Sequence, residues 1–143
     1  MTRGVEVVAR AEAWLGTPYL HQASCKGAGT DCLGLLRGLW REMHGAEPRL
    51  IPAYTPDWSE PQGREDLLEA ARQFLLPVDP GEEAPGDVLL FRMRPGSVAK
   101  HLGILTETGE GATFIHAYSG HGVVLSALSS PWRRKIAAIF RFP

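Results

Sequence analysis

The sequence predicts an α+β domain, helices first and an antiparallel sheet after them. Two observations carry this. Residues before about position 76 show apolar positions at helical spacing, whereas the second half breaks into short β-branched or aromatic runs separated by turn residues. Helical segments followed by a meander of strands segregate the two structure types, as α+β domains do. The 143 residues suit one domain, 1–143, with a single core.

Residues Val5 to Leu15 read as a helix, with Val7, Ala11, Trp14 and Leu15 on one face and Gly16 as the stop. "GTPYLHQASCKGAGT" follows as a loop. Cys32 to His44 reads as the central helix. Leu33, Leu36, Trp40 and Met43 form its stripe, Leu35 and Leu39 widen it, and Gly45 ends it. The proline-rich stretch from Glu47 to Gly63 reads as an excursion over the surface. "REDLLEAARQFL" reads as a third helix with Leu67, Leu68, Ala71, Phe74 and Leu75 inward, and "PVDPGEEAPG" as a break. Five strands are then expected at "DVLLFRM", "HLGILT", "TFIHAY", "VVLSAL" and "IAAIFRF", joined by turns and by the loop "SSPWRRK".

Composition excludes several classes. A 44% hydrophobic and 22% charged chain with a net charge of −1 is neither disordered nor broadly attracted to nucleic acid or membranes. No apolar run approaches the ~20 residues that span a bilayer. The opening "MTRGVEVVARAEAWLG" has no secretory apolar region, so the expectation is synthesis in the cytoplasm. Cys25 and Cys32 do not make a disulfide framework.

Cys32 stands at the first turn of the central helix, where the macrodipole is most positive and a thiolate is favoured. That thiol is expected to react faster than Cys25. Of five histidines, His101 opens one predicted strand and His116 ends the core of the next, so antiparallel pairing makes them neighbours. Nucleophile, base and orienter are thereby available. A zinc site built on His21, Cys25 and Cys32 lacks the tight Cys-x-x-Cys pair of structural zinc sites and is not expected. "GEGAT" is too short for a phosphate loop.

The pieces "GTPY" (Gly16 to Tyr19), "DCLGL" (Asp31 to Leu35), "PGDVLLF" (Pro85 to Phe91), "HLGIL" (His101 to Leu105) and "FIHA" (Phe114 to Ala117) occur in one order across most of the chain. In these pieces the sequence resembles the NlpC-type papain-like cysteine peptidases of bacterial cell walls, and within them the phage and gene-transfer-agent tail branch. The resemblance implies a papain-like fold, with the catalytic cysteine at the start of a central helix packed on a five-stranded antiparallel sheet. It implies Cys32 as nucleophile, His101 as general base and His116 as the residue that orients it. Tyr19 and Asp31 would line the substrate site. Leu33 stands where the family usually has the serine that helps hold the free amino end of the substrate, which makes Leu33 the third substrate-contacting candidate. The implied reaction is hydrolysis of a peptidoglycan stem peptide at the bond between D-γ-glutamate and diaminopimelate, without metal or cofactor.

The resemblance also implies a place on a virion-like tail, with tail hub or baseplate proteins as partners and action in the periplasm or cell wall. Trp58 and Trp132, on the proline-rich stretch and on "SSPWRRK", are the expected docking anchors. Two rival readings use the same fold: a catalytically silent tail component, and an amidase or acyltransferase with a different acceptor.

Overall fold

A computed structural model describes residues 3–48 and 63–143. Most of the proline-rich stretch, including Trp58, lies outside the described residues. Among the described residues, four helices, α1 (Arg3–Glu12), α2 (Cys32–His44), α3 (Asp66–Phe74) and α4 (Ser130–Lys135), surround a six-stranded sheet. The sheet comprises β3 (Leu76–Val78), β4 (Val88–Arg92), β5 (Ala99–Glu107), β6 (Thr113–Tyr118), β7 (Gly122–Ala127) and β8 (Ile136–Arg141). Its order is β3-β8-β4-β5-β6-β7, every pair antiparallel. A separate two-residue hairpin, β1 (Ser24–Cys25) and β2 (Gly29–Thr30), lies in the loop before α2.

The α+β class and the central helix are as expected, and the expected five strands are all present. The sixth, β3, forms where the sequence reads as a break. Its three residues include Pro77, which an edge strand tolerates because one side of it needs no ladder donor. "SSPWRRK" is helical rather than a loop: Pro131 falls in the first turn of α4, where its missing N–H costs nothing. Leu15 does not join the core. Helix α1 ends at Glu12, and Leu15 turns out to solvent at 41% exposure while Trp14 stays buried.

The sheet is covered on both sides, which explains why its strands read as continuous apolar runs. Val88 and Leu90 of β4, Leu102 and Ile104 of β5, and Ile115 and Ala117 of β6 pack with α1, α2 and α3. Alternation sends Leu89, Phe91, Leu105 and Phe114 to a second cluster, closed by Leu128 and by Trp132 of α4. On α2 the most buried line is Leu35 and Leu39. Leu36, Trp40 and Met43 pack at its margin.

Close approach governs how α2 sits. A Cβ on Gly38 would fall 2.2 Å from the Trp14 ring, so the turn that follows α1 packs on α2 at that glycine. A Cβ on Gly34 would fall 1.9 Å from the Ala23 carbonyl and 2.5 Å from Thr30 Oγ1. The loop carrying β1 and β2 therefore lies directly on the first turn of α2. Ser24 fastens it: its hydroxyl donates to the Gly34 carbonyl at 2.6 Å, and Arg41 donates to its carbonyl at 2.7 Å. Upstream, Gly16 and Thr17 exchange backbone bonds with Val123 at 3.0 and 2.9 Å, covering the β7 edge.

Gly34→Ala is expected to destabilise the fold by about 1–3 kcal/mol, because the neighbour in the way is backbone and cannot rotate aside. Urea denaturation checks this. An unchanged midpoint would mean that the loop does not pack on the helix as described.

Candidate active site

The site is built on the start of α2. Asp31 is extended (φ −105°, ψ −172°) and caps the helix, its Oδ1 accepting the Gly34 N–H at 2.7 Å. Its Oδ2 accepts the Gln22 N–H at 2.7 Å, and His21 Nδ1 lies 3.6 Å away. Gln22 adopts the left-handed region, φ 65°, to present that N–H. One buried carboxylate, 2% exposed, thus holds both the helix and the loop that faces it.

Cys32 follows as the first helical residue, 7% exposed. It opens into a pocket whose walls include Tyr19, His21, Asp31, Met93, Lys100, His101 and Tyr118. The thiol donates to the Lys100 carbonyl at 4.0 Å. The backbone N–H groups of Leu102, Leu33 and Cys32 itself point toward the sulfur and favour its anion. They do not prevail. Burial pushes the thiol up, Asp31 adds its negative charge, and the value reaches about 12. Burial and the Asp31 charge thus oppose the expected thiolate. An acidic cap beside the first turn offsets the positive end of the helix on which that expectation rested.

The two histidines meet as expected. His101 Nε2 and His116 Nδ1 are 2.8 Å apart. This leaves His101 Nδ1 as the ring nitrogen available to the pocket. Gly103, between them on β5, makes room: a Cβ there would lie 2.8 Å from the Phe114 ring and 3.2 Å from His116 Cβ. His116 Nε2 is 2.9 Å from Ser126 Oγ. Around the pair stands an aromatic wall, with Trp132 at 5.9 Å from His101 and 5.2 Å from His116 between ring centroids. Phe91, Phe114 and Tyr118 complete it. Trp132 thus packs against the histidines, so its ring is engaged within the fold.

Of the expected substrate-contacting residues, Tyr19 and Asp31 reach the pocket and Leu33 does not. One residue further along a helix turns about 100°, which carries the Leu33 side chain into the core at 5% exposure. Tyr19 is held by its neighbours: Thr30 donates to the Pro18 carbonyl and Leu20 to the Thr30 carbonyl, each at 3.0 Å. Its hydroxyl is pushed up to about 12 by burial and by the adjacent Cys32 and Asp31. Cys25 is exposed on β1. Among the described residues no three His, Cys, Asp or Glu side chains converge as a metal-binding group.

Sequence reading missed Ser126 and the aromatic wall. The signal for Ser126 is hairpin register. A tight turn between Tyr118 and Gly122 pairs His116 with Val124 and Phe114 with Ser126, which sets the hydroxyl diagonally across from His116.

Both imidazoles are held neutral. Burial lowers His101 to about 3, helped by His116, and lowers His116 to about 4, helped by His121. The unfolded chain takes up protons near 6.5 that the folded chain refuses. Stability is therefore full above about 6.5 and falls as the pH drops toward the folded values. Between pH 6.5 and 5, above the carboxylate range, the loss is expected to be on the order of 2–4 kcal/mol. Replacing both histidines by alanine should flatten this slope in urea denaturation. An equally steep slope without them would contradict the account.

Comparison with known proteins places this geometry. The profile of the NlpC/P60 family matches residues 16–141. The chain is 30% identical over 142 residues to "Gamma-DL-glutamyl hydrolase" of Bacillus subtilis (strain 168), covering 99% of this chain and 30% of that protein. It is 29% identical over 139 residues to "Murein DD-endopeptidase MepS/Murein LD-carboxypeptidase" of Escherichia coli (strain K12), covering 94% of this chain and 62% of that protein. The chain thus spans 30% and 62% of the length of these two relatives. Among solved structures, the NlpC/p60 domain of peptidoglycan hydrolase SagA superposes with a TM-score of 0.64 at 25% identity, covering 99% of this chain and all of that one. An NlpC/P60 family protein from Bacillus cereus ATCC 10987, at 23% identity, shares the fold with a TM-score of 0.66, over 99% of this chain and 40% of its own. With the family profile running from the loop that holds Tyr19 to the last strand, the chain belongs to the NlpC/P60 family.

Proposed function

We propose that the protein is a cysteine peptidase that hydrolyses peptidoglycan stem peptides, with Cys32 as nucleophile, His101 as general base and His116 as its orienter. The observation that carries this is the 2.8 Å contact between His101 and His116 beside the pocket that Cys32 opens into. A buried thiol alone would be an inert core residue. A thiol sharing a pocket with a histidine whose far nitrogen is already held has a base and an orienter.

The reaction follows from neutral partners. A substrate carbonyl enters over Cys32, and the thiol proton passes to His101 Nδ1 as sulfur attacks. The developing oxyanion is met by backbone N–H groups at the start of α2, that of Cys32 among them. The imidazolium then returns its proton to the leaving amine, and water hydrolyses the thioester by the reverse roles. The bond assigned is that between D-γ-glutamate and diaminopimelate. The name of the Bacillus subtilis relative, a γ-DL-glutamyl hydrolase, supports a γ-glutamyl linkage, and the Escherichia coli relative's name supports murein as the polymer. With leucine at position 33 turned into the core, Tyr19 and Asp31 are left as the substrate contacts on that side. In this reading the enzyme is carried on a phage-like or gene-transfer-agent tail, bound to hub or baseplate proteins, and acts in the periplasm or wall. Detection of the chain on purified particles by mass spectrometry tests that delivery, and its presence only in free lysate would defeat it.

Incubation with defined muropeptides, followed by mass analysis, is expected to show cleavage on the carboxyl side of D-γ-glutamate. Cys32→Ala should lower the rate by about three orders of magnitude or more while leaving the melting temperature near its parent value. Full activity in a folded Cys32→Ala protein would defeat the mechanism. Cleavage only at another bond would defeat the assigned specificity.

A further inference from the structure

We propose that Ser126 is a positioning residue for the histidine pair: its hydroxyl accepts the Nε2–H of His116 and so holds the His116 tautomer that the charged state of His101 requires. This rests on the reading of Cys32 as nucleophile and His101 as base. Ser126 touches neither the thiol nor the pocket, so it acts only through His116.

The argument follows one proton. When Cys32 attacks, its S–H bond breaks, the electron pair stays on sulfur, and a new N–H bond forms at His101 Nδ1. His101 then carries protons on both nitrogens, so its Nε2–H must donate. The acceptor 2.8 Å away is His116 Nδ1, which must present a lone pair. A neutral His116 then carries its own proton on Nε2. That ring is 1% exposed, so this N–H needs a partner inside the protein. Ser126 Oγ, at 2.9 Å, supplies it. The direction of both bonds is thereby forced in the charged state: His101 donates to His116, and His116 donates to Ser126. A resting His101 whose Nδ1 is free to take a proton carries its own on Nε2, so the same two bond directions already hold before attack, and losing the hydroxyl costs most once the pair is charged. A buried N–H left without an acceptor costs enough to lower the charged population about tenfold or more.

The backbone supports this placement. Phe114 pairs with Ser126 and His116 with Val124, so β7 delivers the hydroxyl by strand register rather than by a loop. Threonine suits the same strand position and keeps the oxygen.

The test uses the full chain with Cys25→Ser, so that Cys32 is the one thiol reporting. Its alkylation rate by iodoacetamide at neutral pH follows the charged population and needs no peptidoglycan. Ser126→Ala is expected to slow alkylation about tenfold, and Ser126→Thr to restore it, with similar melting temperatures. On muropeptides the alanine variant should lose kcat with little change in KM. An alanine variant that alkylates at the parent rate overturns the proposal, as does a threonine variant as slow as alanine. Nitrogen-15 spectra of the unsubstituted chain give an answer whichever variants fold: a proton on His116 Nε2 supports the proposal, and one on Nδ1 overturns it. If no stem peptide were cleaved by the parent protein, the proposed function would fail while alkylation and spectra still decided the role of Ser126.

Discussion

The carboxylate of Asp31 accepts two backbone N–H groups, one from the first turn of α2 and one from the loop that faces it, both at 2.7 Å. The negative charge of Asp31 is felt by what lies next to it. Cys32 is its neighbour in sequence, and Tyr19 shares the pocket. Both are displaced toward their protonated forms chiefly by burial; for Cys32 this charge comes next, and for Tyr19 it follows the contribution of Cys32. The group that assembles the site therefore adds to the burial that favours the protonated form of Cys32.

That coupling sets the character of the chemistry. In an ion-paired cysteine site the proton has already moved before substrate arrives. Here sulfur donates to the Lys100 carbonyl, and His101 is neutral among aromatic rings. In the proposed mechanism, proton transfer then belongs to the attack itself. The N–H groups of Leu102, Leu33 and Cys32 are already aimed at the sulfur, so the anion has donors waiting when it forms. In the same proposed mechanism, the histidine chain on the other side, set among the aromatic rings, serves the matching cation.

Much of this was legible in the residues. The central helix runs over Cys32–His44 as its apolar spacing and Gly45 indicate. The pairing of His101 with His116 follows from antiparallel strands joined by a short turn. What was not legible has physical causes. β3 is three residues long and exists because β8 offers it an edge, a tertiary fact that local pattern does not carry. α4 is six residues long, with no buried residue to betray a period. Leu33 follows the nucleophile in sequence yet faces away, because helical rotation decides direction. The expected thiolate is opposed for a similar reason. Dipole reasoning counted the helix and omitted the carboxylate that caps it.

The claim that the nucleophile rests as a neutral thiol is tested most directly by titrating Cys32. The ultraviolet absorbance of its thiolate can be followed against pH in the Cys25→Ser chain, with Cys32→Ser as the blank. The account predicts no thiolate step at or below neutral pH and a step only far on the alkaline side of an ordinary cysteine. A thiolate already formed in mildly acidic solution would contradict it and would make the resting site an ion pair.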